Sequence, residues 1–294
     1  MVRSFKKRLA HRGCIAVLLG ALAPVSQAEE MLTWVVRDLP PMTIFEGSQK
    51  NRGTIDQLLP LLIERLPQYR HQTLHLNRAR SMQMLTSPTF TCDPSLVWTP
   101  TRAKSIVFSR QTFAVLSNGV TIRQKQQEAL AQFVLEGTFD LEKFLHAEQT
   151  RLGVVAERSY GSAIDEHLSH APPHKLSPHH GNDALGSLLQ MQRMGRLEAV
   201  LGYLTEVRYH AQQQDIDPDE LVFYPVSGAP RYQRIHIGCS DTAQGREAIA
   251  HIDQALQDIP TAPLLQSYAS WLDPALGQQY LKDNPLFFDN APEQ

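Results

Sequence analysis

Short β-rich runs alternate with segments of helical periodicity along nearly the whole chain. LTWVVR (32–37), LGVVA (152–156) and RIHIGCS (234–240) have the length and branched apolar content of buried strands. IDQLLPLLIERL (55–66) and REAIAHIDQALQDI (246–259) have apolar residues at helical spacing. This alternation predicts an α/β architecture with mostly parallel sheets flanked by helices. The 294 residues allow one large domain or two of medium size.

Three local features make more specific predictions. Pro60 lies inside the first helical pattern, where proline kinks or shortens a helix. The pair Asn118 and Gly119, near the end of a β-rich run, predicts a turn. Residues 169–183 are rich in Pro and His and predict an irregular connection.

The first 28 residues have the layout of a secretory signal peptide. Five basic residues precede an apolar stretch (14–23), and residues 26–28 place small side chains before a cleavage site. The apolar stretch is short for a permanent anchor, although an uncleaved anchor is the alternative. Cleavage after Ala28 would remove the five basic residues and no acidic one, which changes the formal net charge from −2 to −7. The sequence thus predicts a soluble, exported protein that does not bind nucleic acid.

Two cysteines remain after the predicted cleavage, Cys92 and Cys239. In an oxidising compartment they can form one disulfide. Two buried free thiols are the alternative, because the sequence does not place their Cβ atoms.

Four sequence blocks, by their order and spacing, resemble the bacterial periplasmic solute-binding proteins of family 3. The blocks are WVVRDLPPMTIFEG with GTIDQLLPLL (34–47 and 53–62), TPTRAKSIVFSRQTF (99–113), LGVVAERSYGSAID (152–165) and LLQMQRMGRLEAVLGYL (188–204). The resemblance implies the type II periplasmic-binding fold, in which a ligand cleft separates two α/β lobes. Lobe one would comprise residues 29–112 and 233–294, and lobe two residues 113–232. Both cysteines then belong to lobe one, which is compatible with a bond between them.

The resemblance implies that Arg102, in the second block, grips a ligand carboxylate. A guanidinium suits this role because its donors form a planar fork that matches two carboxylate oxygens. A salt-bridge arginine, at the surface or between the lobes, is the alternative.

The third block suggests a second contact, the loop of Ser159 and Tyr160. It precedes a helix, whose free N–H groups and dipole attract an anionic group. Ser159 is alternatively a helix cap with no ligand.

Three further residues are candidates for the cleft wall. Asp38 follows the first strand and could accept a hydrogen bond from an amine or hydroxyl, or it shapes a turn before two prolines. Trp98 and Phe45 are aromatic walls or core residues.

Tyr203 marks a departure from the family pattern. In amino-acid-binding members, an aspartate at this place in the fourth block usually holds the ligand's α-amino group. The resemblance therefore points away from a standard α-amino acid, and Tyr203 could stack on or hydrogen-bond a different small molecule.

Residues 167–180 contain five histidines, a pattern more typical of a solvated loop than of a metal site. Because zinc-type spacings, phosphate loops, dinucleotide glycine motifs and nucleophile elbows are missing from the sequence, we predict no metal, no cofactor and no enzyme.

Together these features predict a periplasmic solute-binding protein. It would be a monomer that closes on a small polar, carboxylate-bearing ligand and presents it to an ABC permease of the inner membrane. The alternatives are a ligand sensor for a membrane signalling partner, a dehydratase-like enzyme on the same fold, and a scaffold whose cleft has lost its ligand.

Overall fold

The computed structural model describes residues 30–289 together with Met1. The rest of the predicted signal peptide lies outside the described residues. Within the described part, no helix is both long enough and apolar enough to cross a membrane.

Strands and helices alternate through most of the described chain, as the sequence predicts. The strands are β1 (Glu30–Val36), β2 (Tyr69–His75), β3 (Thr91–Leu96), β4 (Ile106–Leu116), β5 (Gly119–Arg123), β6 (Val134–Leu135), β7 (Thr138–Phe139), β8 (Leu152–Val155), β9 (Leu176–His179), β10 (Ala199–Gly202), β11 (Leu221–Pro225) and β12 (Tyr232–Ser240). The α-helices are α1 (Thr54–Glu64), α2 (Arg78–Leu85), α3 (Gln127–Leu130), α4 (Leu141–His146), α5 (Ser162–His170), α6 (Ala184–Arg193), α7 (Leu204–Gln213), α8 (Ala243–Asp258), α9 (Thr261–Ala269) and α10 (Pro274–Asp289).

The strands build two five-stranded sheets. The first has the order β2-β1-β3-β12-β4 and the second β11-β5-β10-β8-β9. In each sheet one strand is antiparallel to its neighbours, β12 in the first and β5 in the second. The predicted α/β class is confirmed, and both sheets are mixed because of these reversed strands. We call the part built on the first sheet lobe one and the part built on the second sheet lobe two.

Helix α1 shows how the sequence pattern becomes packing. Ile55, Leu58 and Leu62 lie on one face of the helix and are fully buried in the core cluster that also contains Trp34 of β1. The helix continues through Pro60 to Glu64, so this proline does not shorten it.

The chain passes between the sheets twice. Strands β4 and β12 stay paired as far as Leu116 opposite Tyr232, and the second sheet begins at Gly119 and ends at Pro225. The passages are therefore residues 117–118 and 226–231. Residues 113–116 and Tyr232, which the sequence analysis assigns to lobe two, pair in the sheet of lobe one, because the long antiparallel ladder continues beyond the predicted boundary.

Cys92 and Cys239 form a disulfide. They stand directly opposite each other on β3 and β12, with their Cα atoms 4.0 Å apart, and both are fully buried. Of the two alternatives left open by the sequence, the disulfide is the one observed. The 147-residue separation between the cysteines contains all strands of lobe two, so the bond joins the chain at the base of that lobe.

The Asn118–Gly119 pair does not form a hairpin turn, because β4 and β5 belong to different sheets. Asn118 instead donates to Gln233 Oε1 at 3.1 Å, which links the first passage to β12. Gly119 allows close packing: a Cβ there would stand 2.3 Å from the ring of Phe223.

The Pro/His-rich connection contains an unexpected strand. Residues Leu176–His179 form β9, which pairs in parallel with β8 at the edge of the second sheet. Pro178 is tolerated there because an edge strand needs hydrogen bonds on one side only. The segment LSPH has no strand-like periodicity, so the pairing with β8 decides its conformation.

Candidate functional site

The candidate site lies at the carboxyl ends of parallel strands from both sheets. Arg37 follows β1, Arg78 follows β2 and Arg102 follows β3, whereas Arg158 follows β8 and Tyr203 follows β10. All five line one cavity between the sheets, which we call the central cavity. Open α/β sheets bind ligands at this edge, because the loops that follow the strands meet there.

The central cavity measures about 30 Å³, room for about two water molecules. Four arginines line it together with five hydroxyl-bearing residues, Ser95, Ser159, Tyr203, Thr205 and Tyr268. None of the described residues that line it is acidic. The cavity is therefore strongly cationic, in contrast to the excess of acidic residues over the whole sequence.

Two of the four arginines are neutralised by buried carboxylates behind the wall. Arg37 makes a two-pronged contact with Asp93, from Nε at 2.9 Å and from Nη2 at 3.2 Å. Arg158 makes the equivalent contact with Glu206 at 2.6 and 2.7 Å. Burial alone would raise the pKa of Glu206 and lower that of Arg158, but their attraction outweighs it and shifts both pKa values in the opposite directions.

Arg102 has no such partner. It begins a short 3-10 turn after β3, where its backbone N–H donates to Thr99 Oγ1 at 3.2 Å. Its guanidinium donates to the backbone carbonyl of Val97 at 2.9 Å, and no described carboxylate pairs with it. Burial, followed by the charge of Arg37, lowers the pKa of Arg102. Its remaining donors are available to a ligand.

Arg78 is the fourth guanidinium of the cavity. It is the first residue of α2, whose N-cap Asn77 accepts a hydrogen bond from Arg80 N at 2.9 Å. The side chain of Arg78 makes no hydrogen bond or ion pair with any described residue. Burial, and then repulsion from three other guanidinium groups, lowers the pKa of Arg78 well below its usual value.

The Ser159 loop reaches the central cavity, but its donors are already occupied. Ser159 Oγ donates to Asp165 Oδ2 at 2.5 Å, and the backbone N–H of Tyr160 donates to Asp165 Oδ1 at 2.7 Å. The backbone N–H of Gly161 points at Ser159 Oγ, 3.3 Å away. A carboxylate of the chain itself thus occupies the anion position that the sequence suggests for a ligand.

Gln233 of β12 connects the lobes beside the cavity. Its Oε1 accepts a hydrogen bond from the hydroxyl of Tyr203 at 2.7 Å, and its Nε2 donates to the carbonyl of Tyr160 at 3.0 Å. Gly161 has a φ of 99°, and a Cβ there would stand 2.5 Å from Gln233 Nε2. A side chain at this glycine would therefore disturb both the backbone and the contact between the lobes.

The structure brings together three of the six residues predicted to contact ligand, namely Arg102, Ser159 and Tyr203. Trp98 and Tyr160 line a neighbouring cavity of about 460 Å³. Tyr160 also belongs to the core of lobe two, where its hydroxyl accepts the N–H of Val155 at 2.7 Å, and burial raises its pKa to about 12.

Asp38 lines a third cavity of about 130 Å³, which shares three arginines with the central one. Burial raises the pKa of Asp38 to about 6, and the backbone N–H of Phe45 counteracts part of this shift. The charges of Asp183, Glu46 and Glu206 raise the pKa further. Two of these three acids belong to lobe two, so part of the pKa shift of Asp38 comes from charges of the other lobe.

Phe45 is not a wall of the central cavity. It stacks on His75 with ring centroids 4.0 Å apart and packs against the core of lobe one.

Sequence reasoning missed Arg37, Arg78 and Arg158. In the structure each lies one to three residues after the end of a strand, where ligand-binding loops begin. The carboxylates that neutralise two of them, Asp93 and Glu206, are far away in sequence and gave no signal.

The five histidines of residues 167–180 do not converge. His170 contacts the backbone carbonyl of Glu166, His167 lies 3.9 Å from Glu142, and His179 ends strand β9. Across residues 30–289, no group of three or more His, Cys, Asp and Glu side chains is arranged to hold a metal ion.

A larger open groove of about 1230 Å³ lies near the two passages, along α7 and β11. One of its arginines, Arg208, makes an exposed ion pair of 3.2 Å with Asp273 of lobe one. The groove does not contain any of the four guanidinium groups described above.

Known proteins match this chain in structure but not in sequence. The sequence matches no family model, and no curated protein matches it. Many solved structures do resemble the fold. One is a histidine kinase sensor domain with similarity to periplasmic binding proteins, at a TM-score of 0.63 and 15% identity over 83% of this chain and 96% of the other.

Two others are binding proteins. The arginine-binding protein ArgBP from T. maritima, in a mutant form, has a TM-score of 0.61 and 14% identity over 82% of this chain and 95% of the other. An ancestral amino-acid-binding protein, a precursor of cyclohexadienyl dehydratase, has a TM-score of 0.59 and 13% identity over 83% and 95%. The chain therefore has the two-lobed fold of periplasmic binding proteins, which confirms the fold expected from the resemblance.

Proposed function

We propose that the protein is an exported, periplasmic solute-binding protein whose two lobes close on a small polar ligand with a carboxylate. The observation that carries this proposal is the central cavity, where four arginines and no described acidic residue line the meeting point of the two lobes. Such a cavity attracts anions and repels cations. Its position at the carboxyl ends of strands from both lobes supports binding between them.

In this proposal Arg102 binds the carboxylate from lobe one. Its free donors are oriented by the hydrogen bond to Val97 and by the short turn that begins with it. Ser159 and Tyr203 line the same cavity from lobe two. Because Asp165 and Gln233 already accept from their hydroxyls, these two residues would cover the ligand without new ionic contacts. The two passages, 117–118 and 226–231, are the segments about which such a hinge motion would occur.

The proposal is tested by a thermal-shift screen of the purified protein against small carboxylates, amino acids, polyamines and sugars. A compound that binds the native state raises the melting temperature. Calorimetry with the best compound should then show that Arg102→Ala reduces affinity more than about tenfold. Arg102→Lys should restore only part of the loss, because an ammonium lacks the planar fork.

Lys104→Ala is the matched control, since it removes an exposed positive charge from the same turn. Its affinity should stay within about twofold of the unsubstituted protein. An equal loss in both variants would indicate a general electrostatic effect and would contradict the role of Arg102.

Delivery to an ABC permease is the role we favour, with the protein acting as a monomer and not as an enzyme. Ligand sensing for a membrane partner is the second candidate, supported by the similarity to a histidine kinase sensor domain. Crosslinking in whole cells would capture a permease in the first case and a signalling protein in the second. Conversion of the bound compound into a product would contradict both and favour a dehydratase-like enzyme.

A further inference from the structure

The charges around the central cavity leave two guanidinium groups without compensation. The pairs Arg37–Asp93 and Arg158–Glu206 are neutral overall, and each is nearly inaccessible to solvent. Arg78 and Arg102 have no carboxylate partner among the described residues. The cavity wall therefore carries about two excess positive charges, both from lobe one.

This excess of positive charge is unfavourable in the protein without ligand, above all at Arg78. Arg102 at least donates to the carbonyl of Val97, whereas the side chain of Arg78 has no hydrogen-bond partner in the described part of the chain. Like charges in a partly dehydrated space repel one another. Arg78 is only partly exposed to solvent, so an anion that enters beside it would relieve this repulsion.

Within the central cavity no described carboxylate is free to pair with a ligand cation, and Asp38 lines the adjoining cavity instead. The described residues that line the central cavity include no aspartate or glutamate. Glu206 is engaged by two donors of Arg158, and Asp165 by Ser159 and Tyr160. An ammonium group would therefore lose its hydration without gaining a carboxylate.

We propose that the ligand is a small dianion without a cationic group, bound by Arg78 and Arg102 together. This inference rests on the proposed function and specifies the substrate class of the same site. Two negative charges match the two uncompensated guanidinium groups that line the cavity. A dicarboxylate and a doubly charged oxyanion such as phosphate share this chemistry.

The test is calorimetry of the purified protein with three compounds of equal chain length that differ in charge. Malonate carries two carboxylates, propionate carries one, and β-alanine carries one carboxylate and one ammonium. Inorganic phosphate, at a pH where it is doubly charged, is the fourth probe. We expect malonate or phosphate to bind at least about tenfold more tightly than propionate, and β-alanine to bind most weakly.

Arg78→Gln tests the assignment of the second charge. It should reduce the preference for the dianion over propionate to within about twofold, while propionate affinity changes little. Arg80→Gln is the matched control, because Arg80 is an exposed arginine of the same helix that contacts Gln83. It should keep the full preference.

A second measurement is independent of any ligand. Because Arg78→Gln removes a repelled charge, the melting temperature of the unliganded protein should rise or stay unchanged, whereas Arg80→Gln should leave it unchanged. A clear loss of stability in Arg78→Gln would show that Arg78 holds the fold together and would overturn the assignment.

The outcomes separate this inference from the proposed function. Tight binding of malonate alone indicates a dicarboxylate site and tight binding of phosphate alone an oxyanion site; both support the inference. Equal or tighter binding of propionate or β-alanine overturns the inference and leaves the solute-binding function intact. If no probe and no compound of the wider screen binds, both are overturned.

Discussion

The two walls of the central cavity differ in whether their charged groups have a counter-ion. On lobe two, Arg158 is neutralised by Glu206, and the donors of the Ser159 loop are taken up by Asp165. On lobe one, Arg37 is neutralised by Asp93, but Arg78 and Arg102 remain without a carboxylate. Lobe one can therefore attract an anion by itself, whereas lobe two offers a surface that is already satisfied.

This difference suggests an order of events. Under the proposed function, a ligand would first bind to the charged wall of lobe one, and lobe two would close over it with little new ionic contact. Lobe one is also the lobe whose strands are joined by the disulfide. The wall that holds the charge is thus built on a covalently linked sheet, which favours a fixed geometry for Arg102 and its neighbours.

Breaking the buried ion pair of lobe two, Arg158–Glu206, is expected to have the largest effect on stability. Glu206→Gln leaves Arg158 buried without its counter-ion, which should lower the free energy of unfolding by about 3–5 kcal/mol. Chemical denaturation measures this change. The variant should also bind anions more strongly than the unsubstituted protein if it still folds, because lobe two then resembles lobe one.

The matched control for this prediction is Glu220→Gln. Glu220 pairs with Arg123 at 3.1 Å on the surface of the same lobe, so its loss should cost about 1 kcal/mol or less. Similar losses in the two variants would show that burial does not distinguish the pairs.

Removal of the disulfide should produce a somewhat smaller effect on stability. The double variant Cys92→Ala/Cys239→Ala frees a long loop in the unfolded chain and should cost about 2–4 kcal/mol. Thermal unfolding of the variant, compared with the unsubstituted protein with and without a reductant, measures the cost. If the reductant shifts the variant as much as the unsubstituted protein, the effect does not come from this bond.

Substitution of Asp38 should have the smallest effect on stability, and this effect should depend on pH. Its pKa is raised to about 6 in the folded protein, so the native state binds more protons than the unfolded chain between the two pKa values. Its contribution to stability is therefore favourable at low pH and is lost as the pH rises through about 6. The melting temperature of Asp38→Asn, relative to the unsubstituted protein, should increase by about 2 °C between mildly acidic and neutral pH.

Asp38 belongs to lobe one, but two of the acids that raise its pKa belong to lobe two. A ligand that draws the lobes together should enlarge the pH dependence. A pH-independent difference between Asp38→Asn and the unsubstituted protein would show that the carboxyl titrates as in the unfolded chain.

Prediction from the sequence succeeded where a residue's role depends on its neighbours in the chain. The strand after residue 30 and the helix after Gly53 follow from local patterns, and Arg102 was singled out because its block resembles the family 3 proteins. It failed where partners are distant. Strand β9 forms because it pairs with β8, and Asn118–Gly119 forms no hairpin turn because the strands on either side of it join different sheets.

The sequence alone determined the α/β alternation, the apolar faces that form the cores, and the presence of one pair of cysteines in the described chain. These properties depend on periodicity and residue type, which are readable along the chain. Only the tertiary structure decided which arginines carry a free charge. Arg37 and Asp93 are 56 residues apart and Arg158 and Glu206 are 48 apart, and electrostatic compensation depends on distance in space.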